Sequence, residues 1–408
     1  MEYPRLDRNS NGLKGIRVEL DLHFMRLQEV ISEKDKSSFH RLPFNLYKND
    51  PNWIPPVNQE IEAIFNPLKN TFFADGEAIR LLLSDGEKII GRIAAFYNRS
   101  NLNGIVKNGG IGFFECINNQ EASNLLFDAA KKWLIEKGCN AMDGPVNFGE
   151  RDKWWGLLVE GFDPPVYGLN YHLPWYKNLF EQYGFRNYFE QYTFLLHQND
   201  PMPEIVFKIR DRLIQRNHIV FKTAEKNNLK KYALDFMAIY NQAWEHHEGV
   251  KMMTEAQADQ LLEEVKPIMD PDLFIFAYVK NEPVGFFIGI PDANQILKYA
   301  DGNLNVWGKL NVAAHMPFVK FKNLFGIIFG VVPAHHNKGI EAGLAATMHE
   351  KVSNHRSYQQ IEMLWIGDFN KKMLNFVRHI QAKKYRTLIT YRIIFDEQIP
   401  FERCPVIE

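Results

Sequence analysis

Glu115 closes the apolar run Gly112-Phe113-Phe114-Glu115-Cys116-Ile117, and a carboxylate among such neighbours is a candidate proton acceptor. Burial beside Phe113 and Phe114 would raise its pKa toward neutrality, where a base can serve an amine nucleophile. At a wet strand edge the same residue would only solvate itself or cap the next helix. A second concentration of reactive types runs from Gly144 to Gly168, with Asn147, Glu150, Arg151, Asp152, Trp154, Trp155 and Tyr167. It leaves the end of a parallel strand, the place where α/β sheets bind ligands. Asn147, Trp154, Trp155 and Tyr167 are thus candidate substrate contacts, and Asp152 is a second catalytic candidate. The plain alternative is a packed loop whose tryptophans are core. His246-His247 and His335-His336 are adjacent pairs whose side chains diverge, so no metal is expected.

The elements that must position these residues can be read from apolar patterning. Ala78 to Leu83, the turn Ser84-Asp85-Gly86-Glu87, and Ile89 to Phe96 form an expected hairpin. A strand over 112–117 follows, then a helix with Ala122, Leu125, Leu126, Ala129, Ala130, Trp133 and Leu134 on one stripe. Asn118 and Glu121 read as its capping box and Gly138 as its stop. A strand over 141–146 completes the unit. The same order recurs from Leu273: a hairpin to Ile290, a strand over 324–332, and a helix with Ile340, Leu344, Met348 and Val352 buried. A strand over 361–366, a helix from Asn370 to about Gln381 and a strand from Thr387 to Phe395 follow. Gly285 repeats Gly91. Strand-helix-strand units require a right-handed crossover between parallel strands. The expected fold is α+β, two copies of a mixed, mostly antiparallel sheet with a central parallel strand-helix-strand unit. Residues 1–22 read as an extension, 23–200 as the first domain and 201–408 as the second. The long connection 291–323 reads as an excursion able to cover a cleft.

The run Val331-Val332-Pro333-Ala334-His335-His336-Asn337-Lys338-Gly339-Ile340-Glu341-Ala342-Gly343-Leu344 resembles the coenzyme A motif of the GNAT superfamily of N-acetyltransferases. The hairpin-strand-helix-strand order of both halves resembles that fold over roughly residues 24 to 396. Asp50-Pro51-Asn52-Trp53-Ile54-Pro55-Pro56, Gly144-Pro145-Val146-Asn147-Phe148 and Glu362-Met363-Leu364-Trp365 resemble a bacterial group of tandem GNAT-like proteins. The resemblance implies that Val332, Lys338, Gly339, Ile340, Ala342 and Gly343 hold the pyrophosphate of acyl-CoA or acetyl-CoA, with Asn370 nearby. Exposed N–H donors and the positive end of a helix would do the holding. It also implies a general base on the strand before the first helix, the position of Glu115. Three departures stand out: His336 replaces the motif's Arg or Gln, and Glu341 its second Gly or Ala. The first half has no glycine turn. Phe180 and Ile380 occupy the slots where many GNAT enzymes place a tyrosine acid.

With 48 Lys plus Arg against 49 Asp plus Glu, the chain lacks the basic excess that would announce a nucleic-acid partner. The three cysteines are too few and scattered for a disulfide framework or a cysteine zinc site, so a reducing cytoplasm is expected. No run approaches the ~18 apolar residues of a membrane span. The expected activity is acyl transfer from acyl-CoA to a small-molecule amine or similar nucleophile, with the second domain holding the donor and the first the acceptor. The alternatives are a catalytically degenerate tandem that binds a ligand or partner, and aminoacyl transfer from tRNA.

Overall fold

The computed structural model describes residues 25–244 and 252–407. The whole of the expected extension, 1–22, and the pair His246-His247 lie outside them. The strands are β1 Met25–Glu29, β2 Gly76–Asp85, β3 Lys88–Asn98, β4 Asn108–Cys116, β5 Ala141–Gly144, β6 Leu157–Glu160 and β7 Arg186–His197. They continue with β8 Ile219–Thr223, β9 Phe274–Val279, β10 Glu282–Pro291, β11 Asn323–Val331, β12 Gln360–Gly367 and β13 Lys383–Ile394. The helices are α1 Glu33–Leu46, α2 Asn58–Ile64, α3 Gln120–Glu136, α4 Tyr176–Tyr183, α5 Glu204–Asn217 and α6 Leu229–Trp244. Then come α7 Glu255–Val265, α8 Asn294–Leu297, α9 Val306–His315, α10 Ile340–Asn354 and α11 Lys371–His379.

All thirteen strands belong to one sheet, ordered β1-β2-β3-β4-β5-β13-β7-β12-β11-β10-β9-β8, with β6 beside β13. Among the strands of the described residues, only β4–β5 and β11–β12 pair in parallel, so the fold is the expected mixed, mostly antiparallel α+β arrangement, twice. The last strands of the two halves are exchanged across the centre. β13 lies between β5 and β7, and β7 lies between β13 and β12. Each half's sheet is therefore completed by a strand from the other.

Local chemistry explains the elements that matter for function. The buried face of α3 carries Ala122, Leu126, Phe127, Ala130 and Leu134. Its cap is Asn119, whose side chain accepts the Ala122 N–H at 2.9 Å, rather than the expected Asn118 box. In α10 the expected stripe Ile340, Leu344, Met348 and Val352 is buried. The helix α11 starts where Asn370 accepts the Met373 N–H at 3.1 Å. The two cores stay separate, one under α3 and α4, the other under α5, α6 and α10.

Candidate active site in the first half

In β4 a bulge precedes Glu115. Ile93 faces both Phe113 and Phe114, because the register passes from Arg92↔Glu115 to Ala94↔Gly112. Phe113 has φ +50, a region that bulky residues rarely occupy, and such outliers gather at sites where a side chain must be aimed. Arg92 and Glu115 are direct cross-strand partners and emerge on one face. The β4–β5 ladder ends at Gly110↔Asp143, with one further bond from the Val146 N–H to the Ile111 carbonyl. Beyond it the strands part, and Phe113 to Glu115 look onto a cavity of about 70 Å³. Pro43, Trp53, Arg92, Trp154, Tyr167 and His172 are among the residues that line it.

Glu115 is held by three groups that are distant in sequence. The hydroxyls of Tyr47 and Tyr176 donate to its Oε2 at 2.9 and 2.7 Å, and Arg92 stands 3.6 Å from Oε1. The Tyr176 oxygen accepts the Cys116 N–H at 3.0 Å, which fixes its hydroxyl toward the carboxylate. Arg92 donates to the Phe39 carbonyl at 2.6 Å and lies over the Phe39 ring, while its buried Nε has no partner among the described residues. Burial raises the Glu115 pKa, opposed by the charge of Arg92 and the two tyrosine hydrogen bonds. His172 is pushed down to about 3 by burial. Its Nδ1 accepts the Leu158 N–H at 3.1 Å, so at neutral pH the uncharged ring carries its proton on Nε2.

The cavity's roof comes from the other half. Asn294 and Leu297 of the 291–323 excursion line it, and Asn294 donates to the Pro165 carbonyl at 2.8 Å. Asp292 Oδ1 accepts the N–H groups of Tyr167 and Asn294 at 2.9 and 3.1 Å. Gly302 accepts the Asn58 N–H at 2.8 Å, and Gln59 bonds both Asn303 and Leu304. Burial lifts the Asp292 pKa to about 7, against the pull of those two N–H donors. The folded state thus keeps a proton that the unfolded chain releases above its ordinary value of 3.8. That contribution to stability is whole below about pH 4 and is lost as pH rises through 7, on the order of 4 kcal/mol at most. Asp292→Asn keeps the acceptor oxygen without the charge. It is expected to melt higher than the parent at pH 8 and to show a flatter pH dependence. A lower melting temperature at pH 8 would refute the assignment.

The sequence-derived candidates divide between two places. Glu115, Trp154 and Tyr167 are at the cavity. Trp154 packs edge-on against Phe113, and the Tyr167 hydroxyl donates to Glu60 at 2.7 Å and accepts from Lys153 at 2.7 Å. Asn147, Asp152 and Trp155 are not among the lining residues. Trp155 packs with Phe96, Val146 and Phe148, Asn147 is buried close to Gly149, and Asp152 lies exposed on the loop.

Val332, Lys338, Gly339, Ile340, Ala342, Gly343 and Asn370 lie elsewhere. Following the strand directions, β4 and β5 run opposite to β11 and β12. The α10 turn therefore opens at the opposite strand ends from Glu115, and is also displaced sideways by roughly 24 Å across the intervening strands. None of these residues lines the cavity at Glu115. Two of the glycines also have packing reasons. At Gly339, φ is +84 and a Cβ would come 2.7 Å from Ile209 of α5. A Cβ on Gly343 would meet the Phe221 ring at 2.1 Å. Even so, the α10 N-terminus has no side-chain cap, whereas that of α3 is capped by Asn119.

The halves differ most where they should match. Gly285↔Val331 and Phe286↔Gly330 in β10–β11 repeat Gly91↔Cys116 and Arg92↔Glu115 in β3–β4. The second half thus carries Phe and Gly where the first carries the arginine and carboxylate. Reading from sequence gave Tyr47, Arg92 and Tyr176 no role at the site. Tyr176 stands one helical turn before Phe180 on the same helix, a one-turn shift that could have been weighed. Among the described residues no group of His, Cys, Asp and Glu is arranged to hold a metal, and no helix is long and apolar enough to cross a membrane.

No family model matches the chain. It is 24% identical over 383 residues to Protein YghO of Escherichia coli strain K12, covering 91% of this chain and 95% of that one. It is 25% identical over 377 residues to the bacterial ceramide synthase of Caulobacter vibrioides, covering 86% and 93%. A tandem GNAT protein from the clavulanic acid biosynthesis pathway, solved without AcCoA, superposes with a TM-score of 0.52 over 93% of this chain and all of that one, at 9% identity. The strand order with its two parallel strand-helix-strand units and this superposition agree: the chain has the GNAT fold in tandem, two copies joined through one sheet.

Proposed function

We propose that the chain transfers a fatty acyl group from acyl-CoA to the amine of a long-chain acceptor, and that the reaction takes place at Glu115. The observation that carries this reading is the buried Arg92–Glu115 pair, with its two tyrosines, facing a cavity where β4 and β5 part. At the matching strand positions the second half carries Phe286 and Gly330. A ceramide is the amide of a fatty acid and a long-chain amino alcohol, so likeness to a bacterial ceramide synthase favours lipid substrates over small polar amines.

In this reading the thioester enters between β4 and β5. Glu115 removes a proton from the attacking amine, whose nitrogen bonds the thioester carbon as the carbon–sulfur bond breaks. Tyr176, hydrogen-bonded to Glu115, returns the proton to the departing thiolate. Arg92 has an unused buried N–H to polarise the acyl carbonyl. The second half contributes the roof and the completing strand β13. A cavity of about 70 Å³ has room for the reacting groups alone, so the acyl chains must reach it by displacing roof residues such as Leu297.

The test is an assay of purified protein with acetyl-CoA, palmitoyl-CoA and a panel of amines, following free thiol and amide product by mass spectrometry. Amide formation with a long-chain amine and palmitoyl-CoA is the expected result. Tight binding of a ligand without turnover by any pair would favour a degenerate binding module instead.

A further inference from the structure

The excursion that roofs the cavity turns an apolar face to solvent. On α9 and the turn after it, Val306, Trp307, Leu310 and Phe318 are 71, 79, 57 and 83% exposed. Ala313, Ala314 and Pro317 are exposed beside them. Positions 306, 310 and 314, with 307 and 313, share one helical face at i, i+3 and i+4 spacing. Gly308, on the opposite face, is buried, and a Cβ there would lie 1.8 Å from the Asn303 carbonyl. The helix is held firmly: Asn305 accepts the Gly308 N–H at 2.9 Å, Asn311 donates to the Tyr299 carbonyl at 2.6 Å, and His315 stacks on Tyr299. The exposed apolar face is thus a fixed feature, and soluble proteins seldom display such large residues together without a partner.

Charge identifies the partner. From Gly302 to Ile340 the sequence has no Asp or Glu, while Lys309, Lys320 and Lys322 are exposed around the apolar residues. A second copy of this face would meet the first with like charges. An amphipathic helix with Trp and Phe on its apolar side and lysines at its margin matches the headgroup region of an anionic bilayer.

We infer that α9 and the following turn to Lys322 form a docking surface for an anionic phospholipid membrane. Docking stands on these exposed residues alone. Its purpose, to bring lipid substrates to the cavity that the same excursion roofs, rests on the acyl-transfer reading.

The experiment is vesicle flotation with the full chain, using phosphatidylcholine with and without 30% phosphatidylglycerol. Each lysine near an anionic surface is worth about fivefold in partitioning, so at least a tenfold preference for the anionic vesicles is expected. Trp307→Ser with Phe318→Ser should abolish flotation while leaving circular dichroism unchanged, since both side chains are exposed. Phosphatidylcholine brominated along its acyl chains, mixed into the anionic vesicles, should quench emission from the parent and spare the Trp307→Phe variant. Equal partitioning into both vesicle types, or flotation unaffected by the double variant, would overturn the proposal. So would a dimer by sedimentation velocity that the double variant dissociates, because the face would then be a self-interface. Glu115→Gln must float like the parent. Loss of docking in the double variant with retained turnover of detergent-dispersed substrate would leave the catalytic reading intact.

Discussion

Glu115→Gln is expected to lower turnover by about 100- to 10,000-fold, the usual contribution of a positioned general base. The amide has the size of the carboxylate and can still accept from Tyr47 and Tyr176, but it cannot take a proton. In the parent, kcat/KM should rise with pH and level off at a midpoint above the ordinary carboxylate range, since burial raises the Glu115 pKa. The variant should lose that rise. Removing the carboxylate leaves Arg92 as a buried charge without a counter-ion, which can cost about 3–5 kcal/mol of stability. The double variant Arg92→Met/Glu115→Gln removes both charges and separates folding from chemistry. A folded double variant with parental turnover would exclude Glu115 as the base. Tyr176→Phe should lower kcat more than it changes KM, because its hydroxyl donates to the carboxylate and in this reading serves the leaving group.

The fold was legible in the sequence because its signals are local. Both hairpins, both parallel strand-helix-strand units and the buried stripe of α10 follow from apolar periodicity within about twenty residues. The exchange of β7 and β13 did not follow. Their patterns are those of ordinary central strands, and the choice of neighbour depends on contacts almost two hundred positions apart. Glu115 could be singled out from its apolar surroundings. Its partners could not, since Tyr47, Arg92 and Tyr176 reach it from the residue after α1, from β3 and from α4 through tertiary packing. The glycine turn before α10 has a packing side that the sequence does not reveal. Gly339 and Gly343 carry a phosphate-binding spacing, and nothing in the sequence shows that a Cβ at either position would also meet Ile209 or Phe221.

The first half has the carboxylate, the arginine and a capped α3. The second half has a turn with an uncapped helix end, and Phe286 and Gly330 in place of the charged pair. One copy carries the charged pair while the other supplies the roof of the cavity, and the strand exchange binds the two together. Neither half can lose its fold without removing a strand from its partner's sheet, so a single cooperative transition is expected.

Arg386→Ala should produce the largest loss of stability of any single change considered, because Arg386 is where the halves are fastened. It is 1% exposed, on β13, and its Nε donates to Glu362 of β12 at 2.8 Å across the intervening β7. Its remaining donors reach the carbonyls of Gly161, Asp163 and Pro164 at 2.6 to 2.8 Å. One guanidinium therefore satisfies a buried carboxylate and three carbonyls of the loop that leads to Tyr167 and the cavity. Truncation leaves Glu362, 3% exposed, as an unpaired buried charge, at a cost of about 3–5 kcal/mol. The orphaned carbonyls add about 1–3 kcal/mol each where water cannot reach them. Much of a domain's total stability of about 5–15 kcal/mol is then lost. Arg386→Lys should recover little, since one ammonium cannot span the acceptors that a planar fork reaches. Arg386→Met with Glu362→Leu should recover the ion-pair part but not the loop's carbonyls, and so fall between the single variant and the parent. Urea unfolding of the four proteins measures this order directly. A single variant within about 1 kcal/mol of the parent would mean that water replaces the guanidinium, and that the halves are held by strand pairing alone.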